Sequence, residues 1–263
     1  MLINTVPAAT GARWLADGWR LFRRQPLGLS AMTVVYLMML FVPAMLPFIG
    51  LAISGVLGPF ATVGLMLCVR EAAGGRAPNP ALFAQPFRDE RQKLNLFRLG
   101  IVNAALLLAV ASLAALLAPD APGPTPGQPV TLQDLPVDAL LLQLLLYLPV
   151  LALMWFAPLL AGWHQMTPGK AMFGSVIACW RNVGALTVYG LLTLAVMVAI
   201  SFLVVAVLSA LLPKEALSFV IAPVALVMMT VIQSSYWPMY RSVFEAVPMA
   251  AVAPEVGPGD DTA

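Results

Sequence analysis

Charge is what this sequence has least of. Charged residues are 10% of the 263 and hydrophobic ones 61%, where a water-soluble domain carries about a quarter charged and about half apolar. A soluble core of this length could not hide so much apolar surface, so lipid is the solvent. Cysteine and histidine are as scarce. Cys68 and Cys179 have no CxxC or His-paired spacing and His164 stands alone, which gives neither a disulfide framework nor a metal-ligating set. The cysteines fall near the expected cytoplasmic helix ends and read as reduced, structural residues. There is no Walker-type loop, GxSxG elbow or HExxH pair, and no convergent pair of carboxylates is evident. The reading is a non-enzymatic protein with no cofactor and no metal site. The first 25 residues hold four arginines and no continuous apolar stretch, so a cleavable signal is not expected and the first long helix should act as an anchor.

What is abundant is long apolar runs. They cover 27–46, 48–69, 99–118, 140–163, 183–212 and 217–236, and none contains Lys, Arg, Asp or Glu. Crossing a bilayer takes roughly 20 residues of helix. An all-α polytopic fold follows, with about six transmembrane helices in a single membrane domain over 1–247. The fifth run is long for a perpendicular crossing and should tilt. Of the 14 Lys and Arg residues only Lys214 falls in the loops on one side. Basic residues mark cytoplasmic loops, so both termini are expected in the cytoplasm of a bacterium, with the chain in its inner membrane. Residues 119–137, rich in proline, should form an irregular periplasmic loop. Asp120, Asp134 and Asp138 there are either a cation trap or simply the charge left in a translocated loop. Residues 248–263 look like a disordered cytoplasmic tail.

Between the runs lie amphipathic segments. Over 10–25, with Thr10 as a plausible N-cap, Arg13, Asp17, Arg20 and Arg24 share one face at about 100° per residue, opposite Trp14, Leu15, Gly18, Leu21 and Phe22. Such a helix is too polar to span. It should lie in the cytoplasmic interface with Trp14 and Trp19 at headgroup depth and Arg13, Arg20, Arg23 and Arg24 toward phosphates, or else dock a soluble partner. A second segment, 167–182, opens with Thr167-Pro168-Gly169 and carries Lys170, Trp180 and Arg181. A weaker third covers 81–95, where Pro86 interrupts a continuous helix. Each precedes a hairpin of two runs, which suggests three parallel repeats of interfacial helix, outward helix and return helix. The return runs contain Gly58-Pro59-Phe60, Ala157-Pro158-Leu159 and Ala222-Pro223-Val224. Pro59, Pro158 and Pro223 should kink their helices and leave the carbonyls of Gly55, Met154 and Phe219 in need of another donor.

The absence of ionisable groups from the runs argues against an ion-coupled pump. Asn103, Gln143, Ser54, Thr62 and Gln233 are of the kind that bond between helices, and Ser54 with Gly58 could allow close helix contact. His164 reads as a polar anchor at a helix end. The favoured function is a non-enzymatic membrane interaction or assembly component acting through its basic surface helices; the alternative is a carrier or channel for an apolar or amphipathic small molecule, and a membrane enzyme comes third. The expected partners are the lipid bilayer, with anionic headgroups at the cytoplasmic face, and, on the assembly reading, a membrane protein. Nucleic acid has no signature here. A packed bundle favours the first reading and a crevice bordered by Asn103, Gln143 or the proline carbonyls the second.

The chain resembles a family of proteobacterial polytopic inner-membrane proteins in which amphipathic helices precede helical hairpins. The resemblance rests on Gly11, Trp14, Gly18 and Leu21-Phe22-Arg23-Arg24-Gln25-Pro26, on Trp155-Phe156-Ala157-Pro158, on Pro168-Gly169-Lys170-Ala171, on Cys179-Trp180-Arg181-Asn182, and on Tyr240-Arg241. It covers most of the chain outside the proline-rich loop and the tail. It implies the membrane architecture and transfers no functional residue.

Overall fold

The computed structural model describes residues 3–117, 137–211 and 214–245. The tail predicted at 248–263 lies outside them, as does the loop predicted at 119–137 apart from its last residue. Among the described residues every regular element is helical. Six helices, one of them broken, are long and apolar enough to cross a membrane. They are α2 (Pro26–Ala44), α3 (Gly50–Ala73), α4 (Glu90–Leu117), α5 (Val137–Met154) continued by α6 (Ala157–Trp163), α8 (Val183–Leu211) and α9 (Lys214–Phe244). At the arginine-rich end, called the basic end below, lie α1 (Thr10–Arg24), a 3-10 helix (Pro80–Phe87) and α7 (Pro168–Arg181).

Prolines set several helix starts. Pro26 and Pro168 each stand in the first turn of their helices, where the missing N–H has no partner to lose. Thr10 is the first residue of α1 rather than its cap, and neither it nor Thr167 makes a side-chain capping bond. The segment over 81–95, where Pro86 is expected to interrupt a continuous helix, is divided between two elements. Asn79 accepts the Ala81 N–H at 2.9 Å and opens the 3-10 helix, which carries Pro86 near its end, and 91–95 already belong to α4. Hydropathy marks where α4 enters lipid, whereas its hydrogen bonding continues through the polar first turns, so the helix starts nine residues ahead of its apolar run. In the same way α9 runs on through Pro238 to Phe244.

The surface elements interlock the hairpins. α1 packs on α8 and α9, the 3-10 helix on α3 and the start of α4, and α7 on α5 and α6. The first and third therefore sit chiefly on a hairpin other than the one they lead into. Glycines permit the crossings of α1: a Cβ at Gly11 would lie 2.2 Å from the Ala185 carbonyl, and one at Gly18 would lie 2.7 Å from the Ser235 backbone. The N-terminal segment ties the remaining ends. The Asn4 N–H donates to the Val243 carbonyl at 2.8 Å, and buried Asn182 accepts the Val6 N–H at 2.8 Å while donating to the Asn4 carbonyl at 3.0 Å.

The core lies toward the basic end. Val63 to Val69 of α3 are all buried, packed with Leu96 and Leu99 of α4, Phe156 to Ala161, and Met239 and Val243 of α9. Toward the far end Met38 and Phe41 of α2, Met45 just past it, Leu116 of α4 and Phe202 of α8 are exposed. Apolar side chains there face what is hydrocarbon in a bilayer, where exposure costs nothing.

Candidate functional site

The prolines behave in two ways. Pro59 stays inside α3, and the Gly55 carbonyl it strips of its helical partner accepts instead from Asn103 Nδ2 of α4 at 2.9 Å. Close approach makes this bond possible: a Cβ at Gly55 would meet Ala104 at 2.6 Å, and one at Gly100 would meet the Val56 carbonyl at 2.4 Å. The tight contact thus uses Gly55 and Gly100 rather than the Ser54 and Gly58 singled out from spacing. Pro158, expected as a kink, marks a full break. α5 ends at Met154, α6 begins at Ala157, and Pro158 takes the first turn of the new helix. The groups released there are satisfied from outside. The Phe156 N–H donates to Ser175 Oγ of α7 at 2.9 Å, Ser175 Oγ donates to the Ala152 carbonyl at 2.8 Å, and the Tyr236 hydroxyl of α9 donates to the Trp155 carbonyl. Pro223 lies inside α9 at the far end and is exposed.

Asn103, Pro59 and Pro158 border one cavity of about 460 Å³ between the helices. Every span contributes to it: Tyr36 and Leu40 from α2, Ser54, Gly58 and Thr62 from α3, Leu107 from α4, Tyr147 and Leu151 from α5, Tyr189 from α8, Gln233 and Tyr236 from α9. Four of the chain's five tyrosines line it. Tyr189 Oη lies 2.5 Å from Ser235 Oγ, and Tyr36 is placed against Thr62 and Gln233. Tyr147 is both a cavity wall and, at 37% exposure, a surface residue. Among the described residues no Asp, Glu, Lys, Arg or His lines the space. It offers phenolic hydroxyls, carboxamides and apolar walls, suited to a neutral molecule with hydrogen-bonding groups on an apolar body. Gln143 is exposed and is not part of the lining.

Neither the prolines nor the absence of Asp, Glu, Lys and Arg from the runs points to the tyrosines. Tyrosine is enriched at membrane interfaces, so one near the middle of a run, as Tyr36 and Tyr147 are, was the available signal.

The residues expected at the membrane interface part company. Arg13, Arg20, Arg23 and Arg24 are exposed, as are Trp19, Lys170, Arg181 and Trp180, the last at 80%. Trp14 is 1% exposed. Its ring meets Tyr189 edge-on and its Nε1 donates to Ser242 Oγ at 2.9 Å, so this face of α1 is covered by α8 and α9 instead of lipid. Arg20 pairs with Asp17 at 2.8 Å, and Arg181 Nε donates to Thr5 Oγ1 at 3.1 Å. At the same end the Arg70 guanidinium lies over the Trp163 ring at 5.4 Å and that of Arg241 over Trp237 at 5.9 Å. His164 Nε2 is 2.6 Å from the Tyr240 hydroxyl, and partial burial there lowers its pKa. Among the described residues no group of three His, Cys, Asp or Glu could hold a metal ion.

No family model matches the sequence, and no solved structure matches it. A curated protein of Burkholderia thailandensis does: it is 34% identical over 93% of this chain and 94% of its own length, and is named as a probable inner membrane protein. With six candidate spans in the fold and a relative of that identity along nearly its whole length, the chain belongs to the same proteobacterial family of inner-membrane proteins.

Proposed function

We propose that the protein is a non-enzymatic carrier that takes an amphipathic small molecule from the bilayer into the central cavity. The observation that supports this most is that all six spans meet around one uncharged, tyrosine-lined space instead of closing on side chains. Charged ligands would have no counter-charge there, and burying an unpaired charge is prohibitive. Tyr147, which lines the cavity and is 37% exposed, is the point at which we place entry from lipid. The basic end is the cytoplasmic one, because 13 of the 14 Lys and Arg residues belong to its loops. In a variant with Cys68 and Cys179 replaced by alanine, Phe48→Cys at the far end should react with an impermeant thiol reagent from the periplasm. Reaction only from the cytoplasm would invert the protein.

The ligand test is extraction of the full chain in native lipid particles and mass spectrometry of what travels with it, beside Gly58→Phe. A Cβ at Gly58 has its nearest neighbour at 3.4 Å, the Asn103 side chain, so the ring should fill the cavity without breaking the fold. A small molecule retained by the natural chain and lost from the variant supports the carrier. A stoichiometric protein partner retained by both chains, without a small molecule, would replace it with the assembly reading. That second reading is favoured by α7, which exposes Phe173 and Trp180 beside Lys170 and Arg181.

A further inference from the structure

We propose that the cleft between α8 and α9, roofed by α1, is a binding site for one anionic phospholipid, separate from the central cavity. α8 and α9 touch only lightly, and between them runs an apolar cleft of about 390 Å³ whose roof is Ala12, Leu15, Ala16 and Trp19 of α1. It continues toward the far end into a second space of about 320 Å³, sharing Met197, Met228 and Ile232. From Leu192 to Val205 the α8 wall is about 20 Å long at 1.5 Å per residue. That exceeds the ~15 Å of hydrocarbon in one leaflet. The cleft is therefore long enough to take an extended hydrocarbon chain of a lipid in the leaflet at the basic end.

The roof says which lipid. On a helix, residues four apart share a face, so the roof positions Ala16 and Trp19 lead directly to Arg20 and Arg23 one turn on. Both arginines are exposed; Arg20 pairs with Asp17, and Arg23 makes no ion pair among the described residues. Trp19, half exposed and stacked on Phe22, lines the cleft next to Arg20 in sequence, and tryptophan favours the headgroup level of a bilayer. Guanidinium groups bind phosphate oxygens in pairs. A lipid chain lying along α8 would thus bring its phosphate to Arg23 and Arg20, and net negative charge on the headgroup distinguishes it from a zwitterionic lipid.

The test reconstitutes the full chain in phosphatidylcholine vesicles containing a small fraction of lipid brominated on its chains, either phosphatidylglycerol or phosphatidylcholine, and reads quenching of tryptophan fluorescence. Trp19→Phe supplies the signal due to the cleft. Quenching at Trp19 should favour brominated phosphatidylglycerol by about fivefold or more, as each arginine near the headgroups contributes on the order of fivefold. The preference should fall severalfold in Arg20→Gln/Arg23→Gln, whose exposed positions spare the fold, and in raised salt. Equal quenching by the two lipids, or an unchanged preference in the double variant, would overturn the site. Absence of quenching at Trp19 together with a Met197→Cys disulfide dimer would overturn it in favour of a second copy.

Discussion

Along α3 the seven residues from Val63 to Val69 are buried without interruption, while on α8 the residues from Leu191 outward stand largely open. The two stretches are similarly apolar, so hydrophobicity does not decide which packs. Inside a bilayer the tails are as apolar as leucine and nothing drives helices together except close fit and hydrogen bonds. At the basic end water begins, apolar groups must be covered, and the surface elements α1, α7 and the 3-10 helix clamp the hairpins to each other. Farther in, the helices are free to diverge, and there the central cavity and the cleft between α8 and α9 open. Tight packing at one end holds apart the walls of the spaces that open beyond it.

The comparison breaks most readily at a crossing. Gly11→Val puts side-chain carbons into the Ala185 carbonyl, where even a Cβ comes to 2.2 Å of backbone that cannot give way. A cost of about 3 kcal/mol or more is expected, since overpacking at a rigid contact is at the upper end of its range. Gly190→Val on α8, with nothing within 4 Å of its Cβ, should change stability by less than ~0.5 kcal/mol. Thermal unfolding of both variants in one detergent checks this, and similar losses would mean that α8 is packed on the side where the structure leaves it open.

Next in size is the break before α6. Ser175→Ala leaves the buried Phe156 N–H and the Ala152 carbonyl without their shared partner, at a cost of about 1–3 kcal/mol. Ser54→Ala removes a donor to the Leu40 carbonyl at a part-buried site, and Asn103→Leu one to the Gly55 carbonyl. Hydrogen bonds between membrane helices average about 0.6 kcal/mol, so each of these two should lower the unfolding midpoint less than Ser175→Ala does. The reverse order would place the stabilising network in the lipid-facing half.

These residues also mark what a sequence can disclose. Composition and run length are enough to find the spans, because lipid demands a helix of fixed length and tolerates no unpaired backbone. The stranded Gly55 carbonyl follows from Pro59 by covalent geometry alone. Its partner Asn103, 48 residues away, does not, since period and propensity describe one helix at a time. Trp14 fails for the same reason: an apolar face on a surface helix reads the same whether lipid or α9 covers it. The cavity is a relation among six helices, and only the mid-run tyrosines carry a local trace of it.

The smallest effect belongs to His164, at the tightly packed end. Its ring nitrogen is 2.6 Å from the Tyr240 hydroxyl, and partial burial lowers its pKa below the ordinary 6.5. A base whose pKa is depressed on folding binds more protons when unfolded, so stability rises with pH through the window between the folded and unfolded values. His164 therefore adds its full share above the ordinary value and loses it as the solution is acidified below that point. Thermal melts of the full chain in detergent should show the midpoint falling on acidification from about pH 7.5. In His164→Gln, which keeps a partner for Tyr240, the fall should be shallower. An identical fall in both chains would assign it to carboxylates and clear His164 of any part in the acid sensitivity.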